Sequence, residues 1–278
     1  MLSVITPVYN GEKFIEECIK AVINQECSQV EHIIVDGGSN DRTIELVKQY
    51  AGDYPHIRWL SEPDRGQSDA MNKGIAIAKG EILGFLNVDD YYEPQVLNRV
   101  MEGFKTLPEP SFLVGNCNVW NDAGTLLFVN QPKKLRLTDL LLGDEANHFP
   151  INPSAYFYHT SLHQATGLYS ENEHYAMDLD FILRAIQIAT PHYINVTLGN
   201  FRMLEGTKTV NDQQGGQITA RKKAIMQHYR KTLSPLQRWY TTIGYEVYEA
   251  KRAVKKITRF HHFKSYLQRL MYQTSSIQ

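Results

Sequence analysis

The sequence is poor in cysteine and has no long apolar run. Cys18, Cys27 and Cys117 are its only three cysteines, an odd set without the spacing of a zinc site or a disulfide framework. Reduced thiols in a cytosolic setting are expected. No window approaches the ~18 to 20 continuous apolar residues that a membrane span requires. The opening Met1-Leu2-Ser3-Val4-Ile5-Thr6-Pro7 has no basic region ahead of it, and its apolar stretch is too short for a signal peptide. A cytoplasmic protein is therefore expected, soluble or attached at most to the inner face of a membrane. Internal repeats and low-complexity segments are absent as well.

What is present is enough to build a sizeable core: 278 residues, 42% of them apolar, fit one large domain or two intimate ones. The net charge of −1 hides an asymmetry. Residues 217–278 hold 13 Lys and Arg against 2 acidic residues, while the first 216 hold 16 basic and 28 acidic, so a +11 tail follows a −12 body. Such a split points to two surfaces with different partners.

The first third alternates strand and helix patterns, as in a layered α/β protein with a mostly parallel sheet. Strands are predicted at Leu2–Thr6, Ile33–Val35, Ile57–Leu60 and Ile82–Val88. Helices are predicted at Glu12–Asn24, Thr43–Tyr50 and Ser68–Ala78, and a further one at Pro94–Lys105. Ligands bind at the carboxyl ends of such strands. Three polar clusters fall there: Pro7-Val8-Tyr9-Asn10, Asp36-Gly37-Gly38-Ser39 and Asn87-Val88-Asp89-Asp90. Beyond residue 110 the pattern changes. Phe112–Trp120 and Leu126–Val129 read as strands around an Asn121-Asp122-Ala123-Gly124 turn, and Ala155–His159 as another. A helix follows at Asp178–Ala189, then an extended Tyr193–Met203 and a mobile loop over Glu205–Gly216. From Ile218 the chain reads as helical, broken at Pro235. Three segments result: an α/β half at 1–110, a second half of changed pattern at 111–216, and a basic helical extension at 217–278.

Asp89 and Asp90 stand where the apolar run Ile82–Leu86 stops. Carboxylates are hard ligands, and an open pair at a strand end suits Mg²⁺ or Mn²⁺ completed by a substrate's phosphates. Neighbours on an extended chain point opposite ways, so different roles are expected: Asp90 on the metal, Asp89 on a ribose or sharing the ion. A solvated turn capping the next helix would need the same residues.

The ordered series Ile5-Thr6-Pro7-Val8-Tyr9-Asn10, Val35-Asp36-Gly37-Gly38-Ser39-Asn40-Asp41, Glu62 to Gly74, Asn87-Val88-Asp89-Asp90 and Ala176 to Arg184 resembles family 2 glycosyltransferases of the GT-A fold. These are the inverting kind used in bacterial polysaccharide and O-antigen assembly, and the resemblance covers roughly Leu2 to Asn211. It implies a hexosyltransferase-type enzyme that moves a sugar from a nucleotide-diphosphate donor, with a lean to UDP, onto a glycan or lipid-linked acceptor. It also implies that the first segment binds the nucleotide sugar and the second holds the acceptor and the catalytic base, that Asp36 bonds the nucleobase in a pocket lined by Pro7 and Tyr9 with Gly38 in the nucleotide loop, that Arg65 meets the diphosphate or the acceptor and Lys208 the diphosphate, and that Asp178 deprotonates the acceptor hydroxyl. A positioned carboxylate in that role is worth ~10² to 10⁴ in rate. Two departures stand out: Met177 replaces a frequent Glu, and Leu204 stands where the family has a histidine.

The rival readings are a sugar-phosphate nucleotidyltransferase and an inactive nucleotide-sugar-binding module. The first usually carries a Gly-rich basic signature after the first strand, where this chain has Val8-Tyr9-Asn10-Gly11-Glu12-Lys13. The basic tail, with Arg221, Lys222, Lys223, Lys251, Arg252, Lys255, Lys256 and Arg259 among Trp239, Tyr240, Tyr245 and Tyr248, is expected either on anionic lipid or packed on the acidic body or a second copy. Nucleic acid is not expected as a partner.

Overall fold

The computed structural model describes residues 1–143, 147–173, 176–207, 217–251 and 254. One nine-stranded sheet organises the described residues; with its strands numbered β1 to β9 in chain order, they lie in the order β3-β2-β1-β4-β8-β6-β9-β5, with β7 paired to β6. The first four strands, β1 (Leu2–Val8), β2 (Val30–Asp36), β3 (Ile57–Ser61) and β4 (Ile82–Phe85), are parallel. Helices α1 (Ile15–Ile23), α2 (Thr43–Asp53) and α3 (Gln67–Ile77) make the crossovers. All seven residues of β1 and of β2 are buried. Strands covered on both faces carry continuous rather than alternating apolar runs, which is what Ile33-Ile34-Val35 displays. Gly74 lets α3 lie directly on β1, since a Cβ there would come within 2.4 Å of Ile5.

Past β4 the sheet mixes directions. Strand β8 (Tyr156–His159) runs antiparallel to β4 and to β6 (Ser111–Asn121). The expected hairpin forms, with β7 (Leu126–Asn130) antiparallel to β6 across the 121–124 turn. Strand β9 (Thr190–Met203) runs parallel to β6, and the short β5 (Tyr91–Tyr92) closes the order against β9. Only residues 86–90 separate β4 from β5 in sequence, yet three strands lie between them in the sheet. The sheet must therefore curl back on itself around that link. Tyr92 spans the gap, its hydroxyl donating to the Phe85 carbonyl at 3.2 Å. Because β5 lies in the first 110 residues and β9 beyond them, both stretches share one sheet.

The strand expected to reach Val88 ends at Phe85, where residues 87–90 turn and the Asp90 amide donates to the Asn87 carbonyl at 3.0 Å. The helix expected at Asp178–Ala189 is α7 (Met177–Ala185). It stops early because the Thr190 amide is drawn to the Pro110 carbonyl, starting β9 beside β6. Helix α4 (Val96–Phe104) and the short α5 (Leu137–Leu140) and α6 (Leu162–Thr166) complete the body. The basic extension begins as α8 (Gln217–Thr232) and continues, across the break near Pro235, as a helix over 235–251. Most of the expected loop at 205–216 lies outside the described residues.

Candidate active site

A cavity of about 500 Å³ opens at the carboxyl ends of the parallel strands. Pro7, Tyr9 and Asn10 line it from the end of β1, Asp64 and Gln67 from the approach to α3, Asn87 and Asp89 from the 86–90 link, and Phe201 and Thr207 from β9 and beyond. Tyr9 is 62% exposed, leaving an aromatic face open to the cavity. Asn10 takes a left-handed conformation (φ 50°) that asparagine tolerates. In it the side chain accepts from the Asn40 amide at 3.0 Å while its own amide donates to Ser39 at 2.7 Å. The loops after β1 and β2 are thus tied together.

Asp36 was expected to face this cavity. It is fully buried beneath the loop instead, accepting from the Gly38 and Ser39 amides, from the Ser39 hydroxyl and, at 2.6 Å, from the Ser61 hydroxyl. Its acceptor sites are filled by its own loop and by Ser61 of β3, with Gly38 at φ 83° making the turn. Beside that loop the carboxylate on the wall is Asp64 rather than Asp36; it accepts from the Gly66 amide at 2.8 Å and lies so close to Gly37 that a Cβ there would sit 2.3 Å from its oxygen.

Asp89 and Asp90 do diverge, but Asp89 faces the cavity and Asp90 is 1% exposed. Both oxygens of Asp90 are engaged: one accepts from Asn87 at 3.0 Å and Asn152 at 2.8 Å, the other from the Arg202 amide at 3.0 Å. Burial, and then the charge of Asp89, push the Asp90 carboxyl well above the usual carboxylate range; the three hydrogen bonds pull the other way. Burial raises Asp89 as well, against the pull of Arg202. Arg202 clamps the link, donating to the Asp89 carbonyl and to Glu17 at 3.1 Å, with its guanidinium over Phe14 and Tyr91. A desolvated carboxylate pair of this kind suits a cation. Among the described residues no group of three or more His, Cys, Asp or Glu could enclose a metal, and Leu204 offers no ligand atom. A hard divalent ion that keeps its waters and takes phosphate oxygens needs no all-protein cage, so the donor set fits one.

Asp178 opens α7 and accepts from the Tyr156 hydroxyl at 2.9 Å. Burial holds the Tyr156 phenol well above its ordinary value, which keeps it a donor. Asp178 is not on the cavity wall. Its neighbour Met177 receives a contact from Ser68 at 3.0 Å, and Ser68 follows the cavity residue Gln67, so the start of α7 abuts the start of α3. Asp180 turns the other way, bonded to Arg184 at 3.0 Å and to Tyr229 of α8 at 3.1 Å. Of the two aspartates, Asp180 secures the extension. A single segment serves both carboxylates: Asn152 holds Asp90, and Tyr156, four residues on, holds Asp178.

Arg65 is largely exposed and pairs with Asp69 at 3.2 Å and Glu171 at 2.8 Å, not with the cavity. Lys208 lies outside the described residues. Sequence reasoning missed Arg202 and Asp64 as individual residues. Asp64 stood in the stretch Glu62 to Gly74 that carried the resemblance and Arg202 in the expected extended segment Tyr193–Met203, but their roles depend on contacts with other parts of the chain.

The start of the tail packs on the body. Arg221 pairs with Glu173, Arg230 donates to the Leu141 carbonyl at 2.6 Å, and Ile225, Met226 and Tyr229 are buried. Among the described residues no helix is long and apolar enough to cross a membrane.

Residues 3–163 match the family model described as glycosyl transferase family 2. The chain is similar to the chondroitin synthase of Pasteurella multocida (strain Pm70), 30% identical over 216 residues, or 75% of this chain. It spans 21% of that protein's length and 42% of a glycosyltransferase of Escherichia coli (strain K12), YibD. Among solved structures, S. aureus TarS 1-349 in complex with UDP-GlcNAc superposes with a TM-score of 0.62 at 21% identity, over 75% of this chain and 60% of that one. The mannosyltransferase PcManGT of Pyrobaculum calidifontis, in complex with GDP-Man and Mn²⁺, gives 0.57 at 18%, over 92% and 75%. At such identities the likeness concerns the fold, a mixed α/β sheet flanked by helices, shared with GT-A glycosyltransferases.

Proposed function

As this chain belongs to glycosyl transferase family 2, we propose that it is a glycosyltransferase that moves a sugar, with inversion, from a nucleoside-diphosphate donor bound in the 500 Å³ cavity to a hydroxyl of a glycan or lipid-linked acceptor. The observation that carries this reading is the pairing of a cavity bearing Tyr9, Asp64 and Asp89 with a carboxylate, Asp178, at the abutting start of α7. Tyr9 offers its ring to the base, and Asp64 a charged acceptor for an imide N–H. Asp36 shapes the loop that carries Gly38. UDP is the favoured nucleotide, because the motif resemblance leans to it and a structural neighbour is solved with UDP-GlcNAc; a carboxylate acceptor suits the imide N–H of uracil and equally the N1–H of guanine, the base of the GDP-Man bound by the other neighbour.

Asp89 would hold Mg²⁺ or Mn²⁺ together with the donor's phosphates, and Asp90 would position it from below. Such an ion offsets charge on a departing diphosphate. The rest falls to the chain's own groups. Asp178 accepts the proton of the acceptor hydroxyl as its oxygen bonds to C1 of the sugar; the bond from C1 to the phosphate oxygen breaks on the opposite face, its electron pair leaving with the nucleoside diphosphate. Tyr156 orients Asp178. Cys18, pushed up to about 12 by burial, is a thiol too inert to act as a nucleophile.

The test is Asp178→Asn assayed for donor binding and for transfer. Transfer should fall at least about a hundredfold with donor affinity intact; near-normal transfer would remove the base assignment. A nucleotide-sugar panel read by thermal shift, with and without Mn²⁺, identifies the donor.

A further inference from the structure

The helix over 235–251 has two different long faces. One is fixed to the body: Thr241 is fully buried, a Cβ on Gly244 would fall 2.4 Å from Leu142, and the Tyr245 ring lies beneath the Arg230 guanidinium at 4.1 Å. The other presents Leu236, Trp239, Tyr240, Ile243 and Val247 to solvent, with Leu236 75% and Trp239 62% exposed. Their spacing follows the helical repeat, so the five form one stripe. Isolated exposed apolar residues need no explanation, but a continuous aromatic-containing stripe marks a surface that is covered in use.

We propose that this stripe lies in the interface of an anionic lipid bilayer. Two observations select lipid over a second copy of the chain. The helix over 235–251 is itself neutral, with Arg238 and Lys251 against Glu246 and Glu249, and the charge lies in the basic run that follows it in sequence, so a two-fold contact, stripe on stripe, would bring two copies of that run toward each other. Anionic headgroups attract the same charge, and Lys251, Arg252, Lys255, Lys256 and Arg259 follow the stripe directly in sequence. The stripe is also of the right kind, since Trp and Tyr seat at the headgroup level and Leu, Ile and Val reach below it. The basic residues of α8 do not take part in full, because Arg221 and Arg230 are held by the body. Lipid contact is thereby narrowed from the whole basic tail to one face of one helix, independent of how the donor site is read.

The test is flotation of the full chain with phosphatidylcholine vesicles, with or without phosphatidylglycerol. The wild type should float with the anionic vesicles only, and Leu236→Ser/Ile243→Ser/Val247→Ser should lose that recovery by at least about tenfold. All three positions face solvent, so the thermal melt of the variant should match the wild type. Vesicles should also shift the tryptophan emission of the wild type to the blue, and Trp239→Phe should abolish the shift while Trp59 and Trp120 remain. Equal flotation of wild type and triple variant overturns the proposal. So does a wild type that stays unbound, including one that forms a dimer in sedimentation velocity which the triple variant breaks; that last result would give the stripe to a second copy.

Discussion

Asn152 donates a 2.8 Å hydrogen bond to Asp90 across the sheet, from the approach to β8 to the link that follows β4. It is one of three donors that hold a nearly inaccessible carboxylate in place. Asn152→Leu removes it and leaves Asp90 under-satisfied, so stability should fall by about 1 to 3 kcal/mol. Donor affinity should weaken with it, because Asp89 loses its footing. Urea unfolding and isothermal titration with UDP check the two effects.

The two aspartates of the link should separate experimentally. Asp89→Asn changes a cavity-facing group and should leave stability within about 0.5 kcal/mol while abolishing any Mn²⁺-dependent gain in donor binding. Asp90→Asn turns an amide nitrogen toward existing donors and should cost about 1 to 3 kcal/mol. Thermal melts with and without Mn²⁺ and nucleotide give both readings. The opposite pattern would return the metal to Asp90.

Gly37→Ala would drive a methyl group into Asp64, where a Cβ stands 2.3 Å from the carboxylate oxygen. Asp64 can swing into solvent, so the fold should survive at a cost of about 1 kcal/mol, while donor affinity falls by roughly tenfold or more. An unchanged dissociation constant for the nucleotide would exclude Asp64 from the site.

Tyr156→Phe takes away the donor that fixes Asp178. One hydrogen bond to a charged group is worth about 1.5 to 3 kcal/mol, so kcat should drop by roughly tenfold or more with the donor KM unchanged. A loss confined to KM would mean that Tyr156 serves binding rather than the base.

His32 offers a test of pH dependence away from the site. It is fully buried in β2, bonded to Thr6 at 2.9 Å, and burial drives its pKa from 6.5 to about 3, helped by His56. The unfolded chain therefore binds the proton that the folded chain refuses. Stability is fully present above about pH 6.5 and is lost as pH falls toward 3, by up to about 1.4 kcal/mol per pH unit. His32→Gln should flatten that slope in urea titrations between pH 7 and pH 5 buffers, taken as about two units.

The first half of the fold was legible because parallel strands and their crossovers are local objects. Ile33-Ile34-Val35 and the apolar face of α1 name their own surroundings, and the 121–124 turn names its hairpin. The place of β8 between β4 and β6 was not legible, since a four-residue strand carries no information about which distant edges it fills. The same holds for the site. That Asp89 and Asp90 differ followed from neighbouring positions on a chain; which of them is buried is decided by Asn152 and Arg202, 62 and 112 residues away. Asp36 likewise read as a pocket residue because nothing in Gly37-Gly38-Ser39 reveals that Ser39 and, from the next strand, Ser61 occupy its oxygens.

The short link between β4 and β5 works as a clasp. Strands β8, β6 and β9 form the long way round between the same two points, and residues 86–90 the short way. Any slippage in the long path changes the distance that the short one must bridge, so the spacing of Asp89 from the opposite wall reports the integrity of the whole sheet. Amide exchange at Asp90 and Tyr91 should accordingly keep pace with that of β9 rather than with surface turns, and a chain that has lost its far strands should lose its grip on the donor at the same moment.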